Sequence, residues 1–442
     1  MYRTHSIIFL SALVSVCYSH PSEPTSRISL SSVPSVTTAD YIIFAKEDTN
    51  KADGDGFGNT LAGLVGIDEV ETIVGDAGIP VVWRARLNAN QLAKVKADPV
   101  VAEANINDPF TLDDPESVGT QPPVTQRKRA EVTQAPITKN DLFDLRTLST
   151  PPRVKGSLPN YRYDEFAGEG ITVYVVDTGP FDLGHDEFSS PGVGITRRQL
   201  NVAREKKFDL EHIQHGTCAA SKTVGIMTGV AKRANLVGVR IDLNQFGLLR
   251  GLQAVVDDVK QKGHKGKAVV TTSVYLKASN TMYMVSMRSV IKSLVNLDVP
   301  IVATAGNRYQ EGITEPNTLP AILAKELPVI VVGAAAKDFK IAAFSQRGDL
   351  VTTYAIGVNV QCADLAGIAK RSGTSFAAPQ VAGMVAYWMS HPEFAGDLRA
   401  GSVAKTLRDM VGALSYPRVA EAGYPPIAWN GHDLSRQTEQ RN

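Results

Sequence analysis

The sequence predicts an α/β fold with a largely parallel central sheet and helices on both faces, preceded by a small α+β unit. Two observations carry this expectation. Beyond residue 160, short β-rich apolar runs alternate with longer helix-forming stretches, as in successive βαβ units. The chain of 442 residues, 43% hydrophobic and 21% charged, is also too long for one compact core, and it has the composition of an ordinary globular protein.

The elements follow in chain order. Residues 1–19 read as a secretory signal, with Arg3 and His5 ahead of the apolar run Ile7 to Val16 and small residues near Cys17 to Ser19. That run is shorter than the roughly 20 residues a bilayer-spanning helix needs. From Asp40 to Asp108 a mixed unit is expected: strands at Tyr41 to Phe44 and Val81 to Ala85, a helix from Asn90, and a strand from Val100. The Gly and Asp residues between 53 and 60 predict a loop or turn. Residues 113–159 have the Pro-, Thr- and Gln-rich composition of a linker. Within it, Arg127-Lys-Arg129 suits a processing protease and reads equally well as a solvated charge run. Strands are expected at 171–176, 236–241, 268–274, 301–304 and 329–332, helices at 247–261 and 282–297, and a polar, loosely held tail over 425–442.

Composition excludes some partners. The net charge is +1 and the basic residues are scattered, so no field gathers nucleic acid or holds the chain on an acidic membrane. Removal of the signal would leave Cys218 and Cys362. These are too few for a disulfide framework, and they either pair once or stay as buried thiols. No spacing resembles a zinc site, and no metal is expected.

Four residues could carry chemistry. Asp177 closes the apolar strand Ile171-Thr-Val-Tyr-Val-Val176, at the strand end where ligands of such sheets bind; alone it reads as a turn residue. His215 precedes the small residues Cys218-Ala-Ala-Ser221, which could begin a helix, and its imidazole can exchange a proton near neutrality; a lone His is more often structural. Ser375, in Gly373-Thr-Ser-Phe-Ala-Ala-Pro379, stands at a predicted helix start, where free N–H groups favour negative charge but where serine is usually only a cap. Asn307 follows the strand ending at Ala305; it is either a turn residue or an amide donor to a developing oxyanion.

Together these segments resemble the subtilases, the subtilisin-like serine proteases, across residues 160–420. Val175-Val-Asp-Thr-Gly179 and His215-Gly-Thr217 are similar to the family's Asp and His blocks, Ala305-Gly-Asn307 to its oxyanion block, and Gly373 to Pro379 to its Ser block. The order Asp, His, Ser is that of subtilisin and not of chymotrypsin or the α/β-hydrolases. The resemblance implies a catalytic domain over 160–424 and an inhibitor-like propeptide over 38–112. It further implies Asp177, His215 and Ser375 as catalytic triad, Asn307 in the oxyanion hole, and Ser273, Val274, Tyr275, Ala305 and Gly306 as substrate-binding residues. No cofactor would be required for catalysis, structural calcium is left open, and the expected protein is a secreted monomer. Its partners would be polypeptide substrates and its own propeptide, an intramolecular inhibitor.

Four positions depart from the family pattern. Cys218 replaces a second His, and Ser273-Val-Tyr-Leu276 replaces a Ser-Leu-Gly-Gly strand, so that Tyr275 would put a ring where substrate should lie. Ile356 and Lys232 replace prolines. A subtilase-fold protein that acts by binding, its cleft narrowed at Tyr275, is therefore the alternative to an active endopeptidase. A different serine hydrolase would want a Gly-x-Ser-x-Gly elbow, which Gly373-Thr-Ser-Phe-Ala377 lacks.

Overall fold

The computed structural model describes residues 37–432, apart from 111, 113–117, 122–131, 135–141, 190–191, 193, 205–209, 278–279 and 366. The expected signal segment 1–19, the triplet Arg127-Lys-Arg129 and residues 433–442 lie outside the described residues. The N-terminal unit runs β1 (Ala39–Ala45), α1 (Lys51–Val65), β2 (Glu71–Val74), β3 (Pro80–Leu87), α2 (Ala89–Lys96) and β4 (Val101–Ile106). Then come β5 (Val118–Gln121), β6 (Val132–Gln134), α3 (Phe143–Leu148) and β7 (Tyr161–Tyr163). The larger unit continues with β8 (Thr172–Asp177), β9 (Arg197–Asn201), α4 (Leu210–Val224), β10 (Asn235–Arg240), α5 (Gln245–Lys262), β11 (Ala268–Thr272), β12 (Leu276–Lys277) and α6 (Thr281–Asn296). It is completed by β13 (Ile301–Thr304), β14 (Thr318–Leu319), β15 (Val329–Ala335), β16 (Thr353–Ile356), β17 (Val360–Asp364), β18 (Gly367–Arg371), α7 (Thr374–Ser390), α8 (Pro392–Ala395), α9 (Val403–Leu414), β19 (Tyr416–Pro417) and β20 (Pro426–Ile427).

Among the described residues, nine strands form the central sheet in the order β19-β20-β16-β15-β13-β11-β8-β10-β9. All neighbours are parallel except β19 and β20. Strand β8 lies inside this sheet, and its continuous apolar run is explained by burial on both faces. Its side chains alternate, as a period of two requires. Val173 and Val175 join the core under α4 and α7, while Tyr174 and Val176 join the core under α5 and α6.

The N-terminal unit folds as a four-stranded antiparallel sheet, β2-β3-β1-β4. One face packs Ile43 and Trp83 against Phe57 and Leu61 of α1. The other face docks Ile42, Phe44, Ile73 and Val82 on the α5 and α6 side of the larger unit, with the Phe44 and Tyr283 ring centroids 4.8 Å apart. The loop expected over 53–60 is instead part of helix α1. Asn50 caps it, accepting from Asp53 N at 3.0 Å, and Phe57 and Leu61, four residues apart, supply a buried stripe. Gly54 and Gly58 sit where the helix touches the sheet. A Cβ on Gly58 would lie 3.2 Å from Trp83 Nε1, and one on Gly54 would lie 3.1 Å from Pro80 Cδ. Tertiary contact overrides the turn-forming composition.

Two boundaries also move. The linker expected over 113–159 contains α3, whose Leu145 and Leu148 are buried in the main core; Asp144 Oδ2 reaches the buried Lys222 Nζ at 2.5 Å. The tail expected to be loosely held from 425 supplies sheet strand β20 and the buried Trp429 and Asn430. Trp388 Nε1 donates to Asn430 O at 2.7 Å. The apolar trio Ile427-Ala-Trp429 fills core that the polar composition around it conceals. Among the described residues no helix is long and apolar enough to cross a membrane.

Candidate active site

Asp177 is the last residue of β8 and is fully buried. Its Oδ1 accepts from Thr178 N at 2.7 Å and lies 2.7 Å from His215 Nδ1. Facing a carboxylate, Nδ1 carries the proton, which leaves Nε2 as the basic nitrogen. The imidazole is buried as well. The helix holding it starts at Leu210, earlier than the sequence suggests, so that His215 lies inside α4. Gly216 explains the close approach. A Cβ there would stand 3.3 Å from Gly179 N and 3.5 Å from Asp177 Cβ, so a larger residue would press α4 away from the end of β8.

Ser375 occupies the first turn of α7 and is buried. The neighbouring Phe376 ring lies 5.4 Å from the His215 ring, centroid to centroid. Pro379 sits further into the same helix and has no N–H to give the carbonyl four residues before it. That carbonyl belongs to Ser375, and Ser273 Oγ donates to it at 2.8 Å. The hydroxyl therefore fills the vacancy that proline creates in the helix ladder.

Asn307 is held from its oxygen end. Its Oδ1 accepts from Thr374 N at 2.9 Å and from Thr374 Oγ1 at 2.8 Å, which turns Nδ2 away from Thr374. The preceding Gly306 has φ +104°, and a Cβ there would fall 1.9 Å from Gln346 Oε1. Gln346 N in turn donates to Gly306 O at 2.9 Å. Gln346 is a site-forming residue that the sequence reading missed, because it acts through a contact with a distant segment and lacks a motif of its own; Thr374 lies within the Gly373 to Pro379 motif, but its bonds to Asn307 are not legible there.

The other expected substrate-binding residues also fall at this edge. Ala305 is buried and its N–H bonds Val332 O at 2.9 Å. Thr272 Oγ1 donates to Val274 O at 2.9 Å and accepts from Val274 N at 3.2 Å, so both main-chain groups of Val274 are engaged within the turn. Tyr275 is half-buried, and Leu276 pairs with Leu319. Among the family departures, Ile356 continues β16 and its carbonyl accepts from Gln380 Nε2 at 2.7 Å.

Cys218 and Cys362, left open by the sequence, form a disulfide with a Cα–Cα distance of 4.9 Å. It ties the helix of His215, three residues further on, to strand β17. The bridge spans 144 residues of chain, so it removes much of the freedom of the unfolded state. The double variant Cys218→Ala, Cys362→Ala is expected to lose about 2–5 kcal/mol of stability, read as a lower denaturant midpoint in a chemical unfolding curve.

Comparison with known proteins settles the family. Residues 168–411, more than half of the chain, match the Subtilase family. The chain belongs to the subtilases. It is 36% identical over 232 residues to "Subtilisin-like protease 1" of Pseudogymnoascus destructans, covering 52% of this chain and 54% of that protein. To the protein of the same name from Trichophyton rubrum it is 32% identical over 257 residues, covering 57% and 47%. The chain thus spans about half the length of the curated relatives it matches. The crystal structure of a cold adapted subtilisin-like serine proteinase shares the fold, with a TM-score of 0.50 at 24% identity, covering 66% of this subtilase and 98% of that chain. Among the described residues no group of three or more His, Cys, Asp or Glu is placed to hold a metal ion.

Proposed function

We propose that this subtilase is a serine endopeptidase that cleaves polypeptides through an acyl-enzyme on Ser375. The supporting observation is the buried 2.7 Å contact of Asp177 with His215, on a helix whose imidazole lies beside the first turn of α7. In this reading His215 Nε2 takes the proton of Ser375 Oγ as the oxygen attacks the scissile carbonyl. Asn307 Nδ2 and the Ser375 N–H at the helix start donate to the tetrahedral oxyanion. His215 then passes its proton to the departing amine and the C–N bond breaks. Water, deprotonated by the same nitrogen, opens the ester and restores the serine. Asp177 keeps Nδ1 protonated and stabilises the imidazolium throughout. A fluorophosphonate probe tests this directly: labelling of the folded, propeptide-free protein at Ser375 is expected, and its absence would sink the reading.

The second reading is a binding protein whose cleft is impaired, and the engaged main chain of Val274 beside Tyr275 favours it. It predicts a folded, propeptide-free protein that takes up no probe and admits no extended peptide to the cleft.

Secretion is part of the proposal, since a signal-like segment and a disulfide both suit an oxidising compartment. So is inhibition by residues 38–112. Phe110 N donates to Leu243 O at 3.0 Å, beside an antiparallel bridge of Pro109 with Asn244. This places the segment just beyond Ile241, whose N–H bonds Asp177 O at 3.0 Å. Glu71 of the same unit lies 2.6 Å from Arg204 Nε and 3.6 Å from Arg250 Nε, and its own neighbour Arg84 approaches to 3.4 Å. Replacing Glu71 by Ala removes the carboxylate that Arg204 and Arg250 of the larger unit share, while Arg84 keeps Asp40 at 2.8 Å. Activity after self-processing is then expected to appear about tenfold faster, a change of about 1.4 kcal/mol in propeptide retention. Raised salt should narrow the difference from the unsubstituted protein.

A further inference from the structure

Strand β18 lies between β17 and β5 in a three-stranded sheet, and it leads through Ser372-Gly-Thr374 to Ser375 at the start of α7. Its β17 side is firmly anchored. The pairing runs from Val360 with Arg371 to Asp364 with Gly367, Cys362 is bridged to Cys218 of α4, and Ala363 N donates to Ser221 Oγ of the same helix at 2.9 Å. The β5 side is looser. Val118 pairs with Lys370 and Gln121 with Ile368, and the register shifts between them, so that β5 takes one step more than β18. Such a bulge leaves a residue unpaired. Without β5, β18 would be a bare edge that an extended chain can join.

The direction of β5 shows which part of a chain this edge receives. The pairing is antiparallel, so Val118 stands at the end of β18 nearer Ser375 in sequence, and β5 then runs away from it. On the other flank Phe110 N donates to Leu243 O, just past the strand end beside Asp177. One passage of chain thus pairs first at Leu243 and next at β18, and the stretch from Leu112 to Val118 can extend over at most about 20 Å.

We propose that β5 is a second inhibitor in cis, occupying the edge that receives the part of a polypeptide substrate C-terminal to the cut bond. This rests on the endopeptidase reading. Loss of residues 38–112 would leave β5 attached, because β6 beyond it pairs with β7 and Gln134 Nε2 donates to Met227 O at 2.9 Å. A tethered segment has an effective concentration of about a millimolar, so an affinity of only about 0.1 mM suffices for roughly tenfold inhibition. A short, bulged strand need bind no better than that.

The experiment takes the full chain after release of residues 38–112 and uses two readouts: hydrolysis of casein, which needs both flanks, and labelling by the fluorophosphonate, which needs Ser375 alone. Gly119→Pro combined with Thr120→Pro removes both central N–H groups of β5, one of which faces β18 in either register. This variant is expected to cleave dilute casein about tenfold faster, through a lower KM, and to label at an unchanged rate. Equal casein hydrolysis by two proteins that both take up the probe overturns the inference and leaves the endopeptidase reading standing. A labelling rate that rises as much as hydrolysis also overturns it, since β5 would then cover the serine itself. Absence of labelling in both proteins removes the reading, and the inference with it. Should the variant not fold, hydrogen exchange of the unsubstituted, propeptide-free protein decides: slow exchange is expected at the amides of Ile368 to Lys370 that face β5, and exchange as fast as that of an open edge overturns the inference.

Discussion

Ser375→Ala is expected to lower peptide hydrolysis by about two-million-fold, the magnitude that loss of the nucleophile has in subtilisin itself. The variant keeps the bond from Ser273 Oγ, which goes to the Ser375 main-chain carbonyl and which alanine retains. Residual hydrolysis should stay about a thousandfold above water, since the oxyanion donors remain. The same variant should fail to release its propeptide and should take up no fluorophosphonate. Turnover within tenfold of the unsubstituted protein would show that another group performs the attack.

The second large effect is expected from Asp177→Asn, about 10⁴-fold in kcat with little change in KM. Asp177 Oδ1 accepts from both Thr178 N and His215 Nδ1, while Oδ2 is buried with no hydrogen-bond partner among the described residues. An asparagine with its oxygen at the Oδ1 position keeps both bonds but buries an unsatisfied NH₂ at the Oδ2 position and cannot stabilise the imidazolium. Reversing the amide sets NH₂ against the Thr178 N–H and forces the wrong imidazole tautomer. Either way the carboxylate charge that favours the protonated ring is lost, so the acid limb of the kcat/KM profile should move to lower pH. An unshifted limb together with near-normal kcat would remove Asp177 from the proposed triad.

A further pH effect follows from Asp164, which accepts from Tyr387 and lies 3.2 Å from His391 Nε2 and 3.5 Å from His432 Nδ1. Burial raises its carboxyl, but these partners outweigh burial and hold it well below the usual carboxylate range. A lowered carboxyl pKa gives stability that is present above the unfolded value near 4 and lost only as pH falls toward the folded value. This contact therefore clasps the C-terminal segment at His432 through mildly acidic conditions.

Several features were legible in the residues because they depend on nearest neighbours along the chain. The run Ile171 to Val176 is apolar at every position but one, as a strand covered on both faces must be, and the chain turns immediately after Asp177. The order of Asp, His and Ser, with the helix start at Ser375, likewise follows from local pattern and motif. Gly and Asp in α1 misled for the complementary reason: a turn composition says nothing about Trp83 and Pro80 waiting beneath it.

The sequence alone thus determined the parallel sheet and the edge at which the candidate site lies, since periodicity and strand ends are encoded over a few positions. Only the tertiary structure decided the Cys218–Cys362 bridge, the burial of α3 and Trp429, and the proline gap filled by Ser273. Each depends on a partner brought close by folding, so the energy that favours it, from burial of apolar surface or pairing of a buried polar group, exists only once the chain has closed.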